Sequence, residues 1–252
     1  MKTLGLLGYP LGHSFSKNFF EDKFRKLNLI NYEFSLFEFK ELEHFKSQFP
    51  TYRTLIGFSV TSPHKESIIS MLDELDQEAH QIGAVNCVKV IWLDDKPSLK
   101  GFNTDYVGFL HSLKPFLEPK HERALILGTG GAAKAVAYGL KKIGINSWKV
   151  SRNIQFIEGD PNIFSYDEIN EKVISSFKLI INTTPGEMLF GASAFPLIPY
   201  EFIGTEHLCY DLIYQPEETE FLRRSRLNGA TVLNGLDMLY AQAEHAWLIW
   251  NR

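Results

Sequence analysis

Lys65 in GFSVTSPHK (57–65) and Asp105 in GFNTDYVG (101–108) are the residues best suited to move a proton. The pattern predicts a strand ending at Thr61, a turn or helix opening at Pro63, and Lys65 in the first helical turn. A cation there is unusual, because the helix dipole disfavours it and lowers its pKa toward the range useful for proton transfer. The plainer reading is a surface lysine. Asp105 follows Asn103 and Thr104 where a strand closes and a helix starts, so alone it reads as an N-cap. Paired with Lys65, its carboxylate fixes and orients the ammonium.

Two more segments offer ligand contacts. In GYPLGHSFS (8–16) the hydroxyls of Ser14 and Ser16 stand two apart at a helix start, an anion cradle that fits a carboxylate. Simple N-capping by one serine is the alternative, and His13 is given no role. In AVNCV (84–88) Asn86 interrupts a hydrophobic strand, and its amide needs partners, either local backbone or a polyol ligand.

A third segment binds something larger. Ala124–Leu127 reads as a short buried strand. It breaks into Gly128, Thr129, Gly130, Gly131, Ala132 and Ala133, and a helix-forming stretch follows. Strand, glycine turn and helix give the setting in which backbone amides meet a pyrophosphate. An ordinary tight turn is the alternative. The ribose should meet the end of the next strand, where Ser151 and Arg152 stand and no acid occurs before Glu158. A guanidinium beside a hydroxyl suits a 2′-phosphate, which favours NADP over NAD; the alternative is a solvated surface arginine.

These residues need a scaffold, and strand and helix patterns alternate along the chain. Strands are expected at 3–7, 32–37, 55–60, 84–93, 124–127, 147–151, 179–182 and 207–212. Helices are expected at 15–27, 40–48, 64–72, 106–117, 132–143, 217–227 and 236–250. That is an α/β chain with largely parallel sheets. Residues 1–104 form an N-terminal α/β substrate domain, and 105–235 a C-terminal Rossmann-type dinucleotide-binding domain. KPFLEPKHER (114–123) is a candidate junction, but with the boundary at 104/105 the helix before it already belongs to the second domain, and the active site is expected in the interdomain cleft.

With 252 residues, 44% hydrophobic and 22% charged, the composition is that of a globular protein. A net charge of −4 gives no hint of nucleic acid or anionic membrane as partner. Cys87 and Cys209 read as buried free thiols, and the eight histidines lack ligand spacing, so no metal is expected. No apolar run is long enough to span a bilayer, and the expected location is cytoplasmic.

Taken together, the segments resemble the shikimate dehydrogenase family over nearly the whole chain. The serine pair matches Ser14 and Ser16, and SVTSPHK resembles N-V-T-x-P-x-K with Ser59 in place of asparagine. IGAVNC (82–87), GFNTD (101–105), INTTPGEM (181–188), DLIYQPEETEFL (211–222) and NGLDMLYAQAEHAW (234–247) are similar to further family segments. The resemblance implies that Ser14, Ser16, Thr61, Asn86, Asp105, Tyr214 and Gln242 touch shikimate. It implies a catalytic Lys65–Asp105 pair, and Thr183, Leu212, Gly235 and Met238 beside the nucleotide. The final helix, 236–252, is implied to pack back on the first domain.

The sequence departs from the family at Lys17, Phe20 and Glu21, after the serine pair, where altered packing is expected. It departs again at Ser151-Arg152-Asn153, where the usual N-R-T and a second arginine are missing, so use of NAD alongside NADP stays open. The implied activity is reversible reduction of 3-dehydroshikimate with NADPH in aromatic amino-acid (chorismate) biosynthesis. Quinate is an alternative substrate, and a non-catalytic shikimate or nucleotide sensor an alternative class. Methylene-tetrahydrofolate dehydrogenase also pairs a lysine-bearing domain with a dinucleotide domain. The serine cradle and GFNTD argue against it. Monomer and homodimer both stay open.

Overall fold

The computed structural model describes residues 1–12, 15–93, 96–152, 162–186 and 195–252. They form two compact units, Met1–Thr104 with Ala243–Arg252, and Asp105–Gln242.

The first unit contains β1 (Lys2–Gly8), β2 (Tyr32–Glu38), β3 (Leu55–Val60), β4 (Glu74–Leu75), β5 (Cys87–Leu93) and β6 (Lys96–Phe102). They form one sheet in the order β2-β1-β3-β5-β6-β4. Strands β2, β1 and β3 are parallel, with Leu4 opposite both Phe34 and Gly57. Strand β5 runs antiparallel to β3 and to β6, pairing from Cys87↔Phe102 to Leu93↔Lys96. This sheet is therefore mixed, parallel at β2, β1 and β3 and at the β4–β6 pair, with β5 running against its two neighbours. The sequence KPSLKGF of β6, with two lysines, a proline and a glycine, lacks the apolar alternation that marks a strand. The strand expected over 84–93 begins only at Cys87, so Asn86 lies just before it.

Side chains alternate across this sheet as the pleat requires. Leu4 and Leu6 enter one core with Phe20 and Phe24 of α1 (Phe15–Lys26). Leu7, Phe58 and Val60 enter another with Phe45 of α2 (Leu42–Gln48) and Ala79 of α3 (Gln77–Ile82), and Leu55 joins them because the β1–β3 register shifts between Leu55 and Gly57. The closing helix (Leu236–Trp250), α8 in chain order, sends Ala243, Ala246, Ile249 and Trp250 into the first of these cores. Gly57 makes that possible, because a Cβ there would lie 2.2 Å from the Trp250 indole. The indole Nε1 donates to the Val88 carbonyl at 3.0 Å.

The second unit contains β7 (Arg123–Leu127), β8 (Asn146–Ser151), β9 (Ile163–Ser165), β10 (Leu179–Asn182), β11 (Leu208–Asp211) and β12 (Thr231–Leu233). All pair in parallel, in the order β12-β11-β10-β7-β8-β9. From β7 the chain steps outward to β9, then crosses to β10 and steps outward the other way. The direction thus reverses between β7 and β10, the place where such sheets bind ligands. Both faces are covered. Ala124 and Ile126 of β7 pack with α4 (Asp105–Leu113) and α5 (Gly131–Lys142), and Leu125 and Leu127 with α6 (Glu171–Ser176) and α7 (Glu220–Leu227). Burial on both faces explains why these strands read as continuous apolar runs. Helix α7 starts later than expected, because the Thr219 hydroxyl caps it by accepting the Leu222 amide at 3.3 Å.

Cys87 and Cys209 are buried free thiols in different units, and burial pushes the Cys209 thiol up to about 12.

Candidate active site

In the first unit Thr61, Lys65 and Asn86 gather where β3 ends and β5 begins. The Thr61 amide donates to the Leu7 carbonyl at 2.8 Å, and the Val60 amide to the Asn86 carbonyl at 2.8 Å. The Lys65 carbonyl accepts the Val85 amide at 2.7 Å, so Lys65 is fastened to the residue next to Asn86. Asn86 is buried; its Oδ1 accepts the Thr104 amide at 2.6 Å and its Nδ2 donates to the Thr104 hydroxyl at 2.9 Å. Both partners belong to Thr104, 18 residues further along the chain, one a backbone amide and one a side-chain hydroxyl.

The expected helix over 64–72 is not an α-helix. Residues 62–66 form turns and Ser67–Met71 a 3-10 helix, so the helix-dipole argument for Lys65 fails. The cause is backbone pairing: the His64 amide returns to the Thr61 carbonyl at 3.0 Å, and the Val85 amide takes the Lys65 carbonyl that a helix would use. Lys65 and Thr61 are half-buried. Ser16 is the half-buried second residue of α1. Ser14 and His13 lie outside the described residues.

In the second unit the glycine segment sits at the reversal point. Gly128 has φ +117, which only glycine adopts without strain, and a Cβ there would lie 2.6 Å from the Thr183 hydroxyl. Thr183 is fastened across the gap, its amide and hydroxyl donating to the Leu127 carbonyl at 3.0 and 2.8 Å. Gly130 is the N-cap of α5 without a side-chain cap, and a Cβ on it would meet nothing within 4 Å. Gly131, Ala132 and Ala133 open the helix with no acid in the first turn. Amides at such an end lack intrahelical acceptors, the space above them is open, and Thr129 lies between Gly128 and Gly130. This end fits a pyrophosphate.

The Gly128 amide donates to the Val150 carbonyl at 2.9 Å, which places Ser151 and Arg152 at the strand end beside the loop. Ser151 is buried and Arg152 exposed. Asn153 and Glu158 lie outside the described residues.

Leu212, Gly235 and Met238 are brought together. A Cβ on Gly235 would lie 2.0 Å from the Leu212 carbonyl oxygen, and the Gly235 amide donates to the Ile213 carbonyl at 3.0 Å. Met238 is buried, and its carbonyl oxygen would lie 2.5 Å from a Cβ on Gly108 of α4. Tyr214 is half-buried, and burial pushes its phenol above the usual value. Gln242 is half-buried, its Nε2 donating to the Leu239 carbonyl at 3.0 Å. Asp105 is the buried first residue of α4, inside the helix rather than its cap.

The shikimate dehydrogenase substrate binding domain matches residues 6–88. A shikimate dehydrogenase (NADP(+)) of Caldanaerobacter subterraneus subsp. tengcongensis is 35% identical, with 99% of this chain and 91% of that protein aligned. The chain belongs to the shikimate dehydrogenase family. Its fold is similar to shikimate dehydrogenase of Aquifex aeolicus, with a TM-score of 0.86, 34% identity, and 100% of this chain and 92% of that one covered. The shikimate dehydrogenase of Thermus thermophilus, in complex with NADP(H) and shikimate, gives a TM-score of 0.84 at 32% identity, covering 99% and 93%.

Sequence reasoning passed over several residues that hold this family's segments in place. His64 is buried, with Nε2 2.6 Å from the Phe39 carbonyl, to which it donates. Asn182, Asp211 and Thr219 form a buried network behind the Leu212–Tyr214 loop. An acid closing the apolar run LCYD was the available signal for Asp211. Among the described residues, no group of acids, histidines and cysteines could hold a metal ion, and no helix is long and apolar enough to cross a membrane.

Proposed function

We propose that this chain catalyses the reversible reduction of 3-dehydroshikimate to shikimate with NADPH, in the cytoplasm. The observation that carries the reading is the parallel sheet whose order reverses between β7 and β10, with Gly128–Gly131 and Thr183 together at that point. We assign residues 105–235 to the cofactor and 1–104 to the substrate. Gly128–Ala133 would hold the pyrophosphate, Ser151 and Arg152 the 2′-phosphate, and Thr183, Leu212, Gly235 and Met238 the nicotinamide end. When bound, the cofactor supplies or accepts the hydride.

The chain's own residues manage charge and protons. Ser14, Ser16, Thr61, Asn86, Tyr214 and Gln242 are assigned to the carboxylate and hydroxyls of shikimate. Negative charge builds on the ketone oxygen as its carbon is reduced, and protonated Lys65 stabilises and then protonates that oxygen. In the other direction neutral Lys65 takes the hydroxyl proton. Asp105 is assigned as the carboxylate that keeps Lys65 oriented.

Initial rates of shikimate oxidation with NADP+ and NAD+, and with quinate as second substrate, test the reading. Turnover is expected fastest with shikimate and NADP+. Binding without any turnover would make the chain a sensor and overturn the enzyme assignment.

A further inference from the structure

Asp211 closes β11 and is fully buried, an expensive place for a carboxylate unless its oxygens are satisfied. Oδ1 accepts Asn182 Nδ2 at 3.1 Å and the Ile213 amide at 3.0 Å, and Oδ2 accepts the Thr219 hydroxyl at 2.7 Å. The network continues through Asn182, whose Oδ1 accepts the amide and the hydroxyl of Thr184 at 3.1 and 2.7 Å. One carboxylate therefore ties the turn after β10 to the loop after β11. The loop is gripped from its other side too, because Gly235 donates to the Ile213 carbonyl at 3.0 Å. Between these grips stand Leu212 and Ile213, and Tyr214 follows directly.

We propose that Asp211, with Asn182 and Thr219, is a positioning group that sets Leu212 and Tyr214 for hydride transfer. This rests on the assignment of Leu212 to the nicotinamide end and Tyr214 to substrate. The network does not touch the reacting atoms. It acts by holding two peptide groups in one arrangement, and misplacing reacting groups by about 1 Å costs on the order of a hundredfold in rate. The glycine segment that would hold the pyrophosphate has a further tie outside this network, the Gly128 amide donating to the Val150 carbonyl of β8 at 2.9 Å. Loss of the Asp211 network is therefore expected to spare the adenosine half of the cofactor site.

The test uses the full chain carrying Asp211→Asn, Thr219→Val or Thr219→Ser, with folding checked by circular dichroism. Asp211→Asn keeps an acceptor at Oδ1 and turns a donor toward the Thr219 hydroxyl. Both it and Thr219→Val are expected to lower kcat tenfold or more. Neither should change the Kd of 2′-phospho-ADP-ribose, while the extra affinity of NADP+ over that probe should shrink. Thr219→Ser, which keeps the hydroxyl, is expected within threefold of wild type. If Asp211→Asn does not fold, the Thr219 pair gives the same reading. Folded variants with lowered Tm but unchanged kcat and unchanged NADP+ advantage would make the network a structural brace and overturn the proposal. A wild-type chain without turnover would overturn the functional reading instead.

Discussion

Asn86 and Thr104 are joined side chain to backbone and side chain to side chain, at 2.6 and 2.9 Å, in a site shielded from water. The pair clamps the chain ahead of β5 to the chain that follows β6. Thr104→Val keeps the shape but removes the hydroxyl that accepts Asn86 Nδ2. Loss of a buried acceptor costs about 1–3 kcal/mol, so urea denaturation should show a lowered midpoint at unchanged m. Thr104→Ser should recover most of it. An unchanged midpoint in Thr104→Val would mean the pair contributes nothing to stability.

Lys65→Ala is expected to lower kcat by about 10²–10⁴, the range of general acid–base assistance. KM for shikimate should move only a few-fold, because the lost interaction belongs to the charge that builds on the oxygen in the transition state. The Lys65 backbone is held by Val85, so the turn should survive loss of the side chain. Steady-state kinetics in both directions decide it; a kcat close to wild type makes Lys65 a binding residue.

Arg152 is solvent-exposed at the end of β8 beside buried Ser151. If it meets the 2′-phosphate, Arg152→Ala removes a charge-assisted contact and raises KM for NADP+ roughly 10- to 100-fold. KM for NAD+ should stay within about threefold, and salt should weaken wild-type NADP+ binding more than that of the variant. Equal losses for both cofactors would place Arg152 outside phosphate recognition.

What the sequence revealed, and what it hid, follows from burial. Strands β7, β10 and β11 are covered on both faces, so RALIL, LIIN and LCYD carry an apolar signal independent of register. Gly128 was visible because the turn requires a backbone only glycine adopts easily. By contrast, β6 takes its stability from pairing with β5, and its lysines and proline read as loop. The run SIISML after Lys65 has a helical apolar spacing, yet Val85 takes the Lys65 carbonyl and a 3-10 turn results. The Asp211 network was hidden for a related reason: its partners lie 29 and 8 residues away, and only the fold brings them together.

The last prediction concerns acid. Burial holds His121 and His207 below the usual histidine value. Lys120 adds to the effect at His121, as does His207, while Glu118 and Glu206 oppose it. At His207 the Ile174 carbonyl opposes burial, Lys178 adds to it, and the Gly204 backbone and Glu206 oppose it again. His121 Nδ1 accepts the Glu118 amide at 3.0 Å, so the neutral ring carries its hydrogen on the buried Nε2, and an added proton would go to Nδ1 and break that hydrogen bond. The unfolded chain takes up protons near pH 6.5, and the folded chain does so only at lower pH. Stability from these groups is therefore complete above about pH 6.5 and is lost as pH falls toward the folded pKa values, at about 1.4 kcal/mol per unit of depression. His121→Asn places an acceptor near Nδ1 without a titrating ring. Denaturant unfolding between pH 8 and pH 5 should show a shallower acid loss in the variant than in wild type. Identical slopes would mean that other groups carry the acid sensitivity.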